Sequence, residues 1–141
     1  GFNLNDFAIR LKSINDITDK NDYIIRGINS GEFDQYELIP EKPINISSID
    51  MIFNFNPGIT LDLKNLKLFS KENVYIIEEN NLIITSKNTF FLNNEFKNKI
   101  VFTSNNNEIL NLNLNKVFKD IDKIIFSLKF DKLSLVNRMC Q

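Results

Sequence analysis

The chain has 141 residues, 43% of them hydrophobic and 25% charged, with a formal net charge of -1 and no histidine. This is the length and composition of one globular domain, and the near-neutral balance leaves no concentrated basic surface for nucleic acid or an anionic membrane. No apolar run approaches the roughly 18 residues of a membrane span, and a lone Cys140 makes neither an internal disulfide nor a CxxC metal site.

No disulfide framework argues for secretion, so the reading tilts toward the cytoplasm and otherwise leaves location open. The chain starts at Gly1 rather than at a methionine, which predicts a single domain over 1–141 excised from a longer protein. Asn and Ile are over-represented, while alanine occurs only at Ala8. That bias matches the codons of an AT-rich genome. Beta-branched Ile and 13 Phe favour strands, and the best helix former is almost absent.

In chain order, Leu4, Phe7, Leu11 and Ile14 have helical spacing, while Phe7, Ile9 and Leu11 alternate as in a strand. Ile9 would spoil the polar face of a helix, so a strand is predicted over 7–13. A polar loop over 15–22 follows, then a strand over 23–28 and a turn between Gly27 and Gly31. A short strand over 36–39 stops at Pro40. Pro40 and Pro43 bracket a connection, because neither has an N–H to give a ladder. An apolar strand over 49–55 ends at the turn Asn56-Pro57-Gly58.

Ile59-Thr60-Leu61-Asp62-Leu63-Lys64 alternates strictly, then the apolar phase slips from Leu63 to Leu66 and Leu68. Side chains on a strand have period two, so the slip predicts a bulge or a corner near Lys64-Asn65. Short strands are predicted over 74–77, 82–85, 90–92 and 100–103. Asn80-Asn81 reads as a hairpin-like turn, since Asn tolerates positive φ. Strands over 109–114 and 123–130 close the set, and Val117, Phe118 and Ile121 between them have the spacing of one helical turn. The segments 48–55 and 120–128 echo one another, as two equivalent strands in opposite halves of a sandwich would. About ten short strands broken by frequent turns predict an all-β, antiparallel β-sandwich of jelly-roll-like form.

The absence of histidine removes Ser-His-Asp and Cys-His catalysis and histidine-based zinc sites. With four glycines, neither GxGxxG nor GxxxxGK[ST] can be written. The expectation is therefore a protein that is not an enzyme. Asp16, Asp19, Asn21 and Asp22 place oxygen ligands in one loop and make calcium the candidate metal, although the spacing is not that of an EF-hand. No other cofactor is expected. For carbohydrate, Tyr23, Tyr36 and Tyr75 are the aromatic platforms and Asn supplies amides. Tyr36 with Glu32, Asp34 and Gln35 is the densest polar-aromatic group, and Glu32, Asp34 and Tyr36 are the candidate glycan-binding residues.

The proline-marked loop, the run Ile49-Asp50-Met51-Ile52-Phe53-Asn54-Phe55-Asn56-Pro57-Gly58, Leu63-Lys64-Asn65-Leu66-Lys67-Leu68-Phe69, Asn88-Thr89-Phe90-Phe91-Leu92 and Lys123-Ile124-Ile125-Phe126-Ser127-Leu128-Lys129-Phe130-Asp131 come in an order that resembles a known group. It is similar to the accessory β-sandwich modules of bacterial glycosyltransferases and other surface-polysaccharide enzymes, over 36–131. Those modules resemble jelly-roll carbohydrate-binding domains. The resemblance implies a non-catalytic module that binds a glycan or acts as a scaffold for a catalytic domain in the same parent chain. It carries over no ligand-binding residue. The alternative is a protein-interaction or structural β-domain of a bacterial surface or viral protein.

Overall fold

The alternation of Ile, Leu and Phe with Asn, Asp and Lys is realised as strands with one dry face and one wet face. A computed structural model describes residues 6–13, 23–26, 31–54, 58–86, 89–91, 99–102 and 108–132. The strands are β1 (Phe7–Lys12), β2 (Tyr23–Ile25), β3 (Phe33–Leu38), β4 (Ile44–Phe53), β5 (Ile59–Phe69), β6 (Val74–Ile76), β7 (Ile83–Thr85), β8 (Thr89–Phe91), β9 (Lys99–Phe102), β10 (Glu108–Ile121) and β11 (Lys123–Lys132). The one helical element among the described residues is a 3-10 turn, Glu79–Asn81. No helix there is long and apolar enough to cross a membrane.

The strands form an all-β sandwich of two antiparallel sheets. The first has the order β2-β1-β4-β10-β7; the second has the order β3-β11-β5-β9-β8, with β6 also paired to β5. The chain changes sheet at most connections: β2 to β3, β3 to β4, β4 to β5, β6 to β7, β7 to β8, β9 to β10 and β10 to β11. Central strands therefore pair with partners distant in sequence, β4 with β10 and β11 with both β3 and β5. Of the echoing segments, 48–53 and 123–128 lie in opposite sheets, in β4 and β11, and both strands are flanked on two sides, whereas 120–121 end β10 of the first sheet.

Between the sheets lies one continuous core. Phe7, Ile9 and Leu11 of β1 and Ile49, Met51 and Phe53 of β4 face Leu61 and Leu63 of β5 and Ile124, Phe126, Leu128 and Phe130 of β11. Aromatic rings bridge it. Phe7 lies 5.0 Å from Phe53 in its own sheet, and 5.8 Å from Tyr36 and 5.9 Å from Phe130 in the other. Tyr36 in turn stacks on Phe126 at 5.6 Å. The wet face of the first sheet holds a buried charge, Asp50. Asp50 stands in ladder register between Arg10 of β1 and Asn111 of β10. Lys12 Nζ lies 3.0 Å from its Oδ2, and Asn111 Nδ2 donates to its Oδ1 at 2.7 Å.

The phase slip in β5 is a bulge. Lys67 and Lys64 pair with Ile125 and Ser127, so three steps on β5 match two on β11, and Asn65 takes the extra place with φ 58. The chain does not turn a corner there, because β5 stays paired with β11 on both sides of the bulge. β10 is distorted further. Between Asn113 and Phe118 it advances five residues while β4 advances two, and from Phe118 to Ile121 three residues match two. Asn115 (φ 66) and Asp120 (φ 57) fall inside these distortions.

Two local expectations are corrected by this geometry. Val117, Phe118 and Ile121 belong to a strand, not a helical turn. Bulges stretch the inward spacing from two residues to four between Leu114 and Phe118 and to three between Phe118 and Ile121, which imitates helical periodicity. Asn80-Asn81 does not close a hairpin either. β6 and β7 belong to different sheets, and the 3-10 turn between them is a crossing.

Candidate functional site

β6 is an edge strand of the second sheet and pairs with β5 alone among the described strands. β5 and β6 form a hairpin: Ser70 N–H donates to the Asn73 carbonyl at 2.9 Å, and Ile77 N–H donates to the Leu66 carbonyl at 2.9 Å. In an antiparallel pair the hydrogen-bonded residues alternate. With 70/73 and 66/77 bonded, the N–H and C=O of Val74 and Ile76 point away from β5, toward an edge that no described strand covers. Both side chains are also exposed, at 55% and 62%. Tyr75, between them, points inward.

Opposite β6, the distorted half of β10 swings away from a regular ladder. Asn115 adopts the left-handed region that Asn tolerates better than most residues. Its N–H donates to Asn113 Oδ1 at 2.9 Å, and its Nδ2 donates to the Asn81 carbonyl at 2.8 Å, which ties the bulge to the 3-10 turn. Between this bulge and β6 opens a cleft of about 430 Å³, lined by Val74, Tyr75, Ile76, Ile77, Asn81, Leu114, Asn115, Lys116 and Phe118. A second cleft of about 420 Å³ continues from Tyr75 past Ser70, Lys71, Glu72 and Asn73 to Lys119 and Asp120. A smaller one of about 160 Å³ lies over Asn65. Among the described residues, the three non-glycine residues with positive φ, Asn65, Asn115 and Asp120, thus each border one of these clefts. Bulges re-aim strands at the rims of sheets, and here they shape the walls.

Tyr75 is the shared wall of the two larger clefts. Its ring packs edge-on against Phe118 at 5.1 Å, which fixes its orientation. Its hydroxyl receives a hydrogen bond from Asn73 Nδ2 at 3.3 Å. Lys116 Nζ lies 4.8 Å from the Phe118 ring centroid. The result is a half-buried aromatic ring with amides on both sides and one ammonium nearby. Both volumes are in the range of small-molecule sites.

The residues singled out in sequence lie elsewhere. Glu32 is exposed in the bend before β3. Asp34 and Tyr36 share the inward-facing phase of β3, two residues from buried Leu38, and the Tyr36 ring is taken up by Phe126 and Phe7. Burial, and secondly the negative charge of Asp34, push the Tyr36 hydroxyl up to about 12, so it stays protonated at neutral pH. On the opposite face of the same strand, Phe33 lies under Lys64, whose Nζ is 3.8 Å from the ring centroid. Tyr23 packs against the core. Asp16, Asp19, Asn21 and Asp22 lie outside the described residues, and among the described residues no group of three His, Cys, Asp or Glu side chains could hold a metal ion. Local polar density points to Tyr36, whereas the cleft is at Tyr75. Its second wall comes from a bulge forty residues downstream, so only the asparagines around Tyr75 hint at it in sequence.

No protein-family model matches this chain, and neither does any curated protein or solved structure.

Proposed function

We propose that this domain is a non-catalytic β-sandwich module that binds an oligosaccharide along the β6 rim, as part of a larger glycan-assembly or carbohydrate-active protein. The observation that carries the reading is Tyr75, braced by Phe118 at the junction of two clefts of ligand size. A sugar ring offers C–H groups on one face and hydroxyls around its edge. The Tyr75 ring supplies a surface for the first, and the side chains of Asn73, Asn81 and Asn115 supply donors and acceptors for the second. Clefts fixed by bulged, hydrogen-bonded backbone need little reordering to bind.

The test is calorimetric titration of a panel of oligosaccharides into the domain and into Tyr75→Ala and Tyr75→Phe. At least one glycan binds the native domain, Tyr75→Ala weakens it by about tenfold or more, and Tyr75→Phe keeps most of the affinity. Circular dichroism checks that both variants are folded. If no glycan binds the native domain, the glycan reading fails. The second reading is a protein-interaction domain. It rests on the exposed β6 edge, where the outward backbone groups of Val74 and Ile76 suit an added strand from a partner. Proline at Ile76 would then abolish partner binding while Tyr75→Ala would not.

A further inference from the structure

We infer that the ligand of the larger β6 cleft is an acidic oligosaccharide, one that presents a carboxylate to Lys116. The inference rests on the glycan-binding reading and specifies the charge of its ligand. Among the described residues that line the cleft, Lys116 is the one that carries a charge at neutral pH, and no described Asp or Glu lines it. The ammonium has no ion-pair partner among the described residues.

Other lysines on the molecule are placed differently. Lys12 and Lys129 sit beside Asp50 and Asp131. Lys71 and Lys119 share the neighbouring cleft with Glu72 and Asp120, so its charges balance. Lys64 borders only the small cleft, which Glu78 also lines. Lys123 lies over Phe69, with its Nζ 4.3 Å from the ring centroid, and lines none of the three clefts. Lys116 therefore combines a ligand-sized cleft with a positive charge that no described carboxylate offsets.

Its position adds direction. Lys116 Nζ lies 4.8 Å from the Phe118 centroid, and Phe118 meets Tyr75 edge-on at 5.1 Å. The cation thus stands one ring away from the surface on which a sugar stacks. A pyranose on Tyr75 would project an exocyclic substituent toward it. A neutral hydroxymethyl group there gains one ordinary hydrogen bond. A carboxylate gains a charge-assisted one, which is the stronger of the two.

The test uses matched pairs of oligosaccharides that differ only at the acid group: an oligogalacturonide and its methyl ester, a hyaluronan oligomer and its carboxyl-reduced form, sialyllactose and its methyl ester. The acidic member of at least one pair binds about tenfold more tightly than its neutral twin. Lys116→Gln removes that preference, Lys116→Arg retains it, and added salt weakens the acidic member selectively. Equal affinity within every pair that binds overturns the acidic specificity and leaves the glycan-binding reading standing. A preference that survives Lys116→Gln also overturns it. If neither member of any pair binds, the inference and the glycan reading fall together. Lys116 is exposed, so its variants keep the fold, and matching thermal transitions confirm it.

Discussion

Phe130→Ala lowers the unfolding free energy by about 3–5 kcal/mol, the range seen when a fully buried aromatic is truncated. Phe130 has no solvent exposure and belongs to central strand β11. It lies 5.9 Å from Phe7 and 6.0 Å from Phe53, two rings of the opposite sheet. Its removal therefore deletes ring contacts between the sheets as well as apolar burial, and it leaves a void that neighbours held in two ladders cannot easily collapse to fill. Phe33→Ala provides the contrast. That ring is on the outer face with a lysine over it, and its loss costs under about 1 kcal/mol. Urea unfolding checks both through the midpoint at constant slope. Similar, small shifts for the two variants would show that the sheets are not held together by the aromatic bridge.

Asp50→Ala costs about 1–3 kcal/mol, the penalty for stranding the partners of a buried, charged acceptor. The Asp50 side chain is only 7% exposed although it lies on the wet face of its sheet. It joins three strands, with Lys12 from β1 on one oxygen and Asn111 from β10 on the other. The two partners are not equivalent. The Lys12 side chain is 47% exposed and regains water when the pair is broken, so Lys12→Met costs less than about 1 kcal/mol. Asn111 offers the shorter contact and the less solvated one, so Asn111→Ala costs more than Lys12→Met. A double-mutant cycle between positions 50 and 111 gives a coupling larger than one between 50 and 12. The reverse order would place the stabilisation in the surface ion pair.

The periodicity of single strands was legible in the sequence, and so was the fault in one of them. Leu63 to Leu66 breaks a strict alternation, and the break is the Asn65 bulge. Other strand limits were hidden by the same kind of irregularity. β4 starts at Ile44, five residues before the apolar run suggests, because Ser47 and Ser48 interrupt its inward phase of Ile44, Ile46, Ile49 and Met51. The end of β10 imitates a helix because its bulges insert residues between Leu114, Phe118 and Ile121. Sheet assignment was less legible still. The turn at Asn80-Asn81 has hairpin residues but crosses between sheets, and only the distant partners of β6 and β7 decide that. The candidate site follows the same rule. Tyr36 could have been read as inward from Leu38 two residues on. Tyr75 gains its cleft from Asn115, and no local signal links the two.

The most direct test of the account is a two-dimensional amide NMR titration of the labelled domain with the tightest-binding oligosaccharide of the acidic and neutral pairs. The account predicts saturable shift changes that concentrate at 74–77, 81 and 114–118, with the Tyr75 amide among the largest. Residues 32–36 of the β3 region should stay nearly still. Shift changes centred on Glu32, Asp34 and Tyr36, or spread evenly with no saturation, would contradict a binding site at the β6 rim.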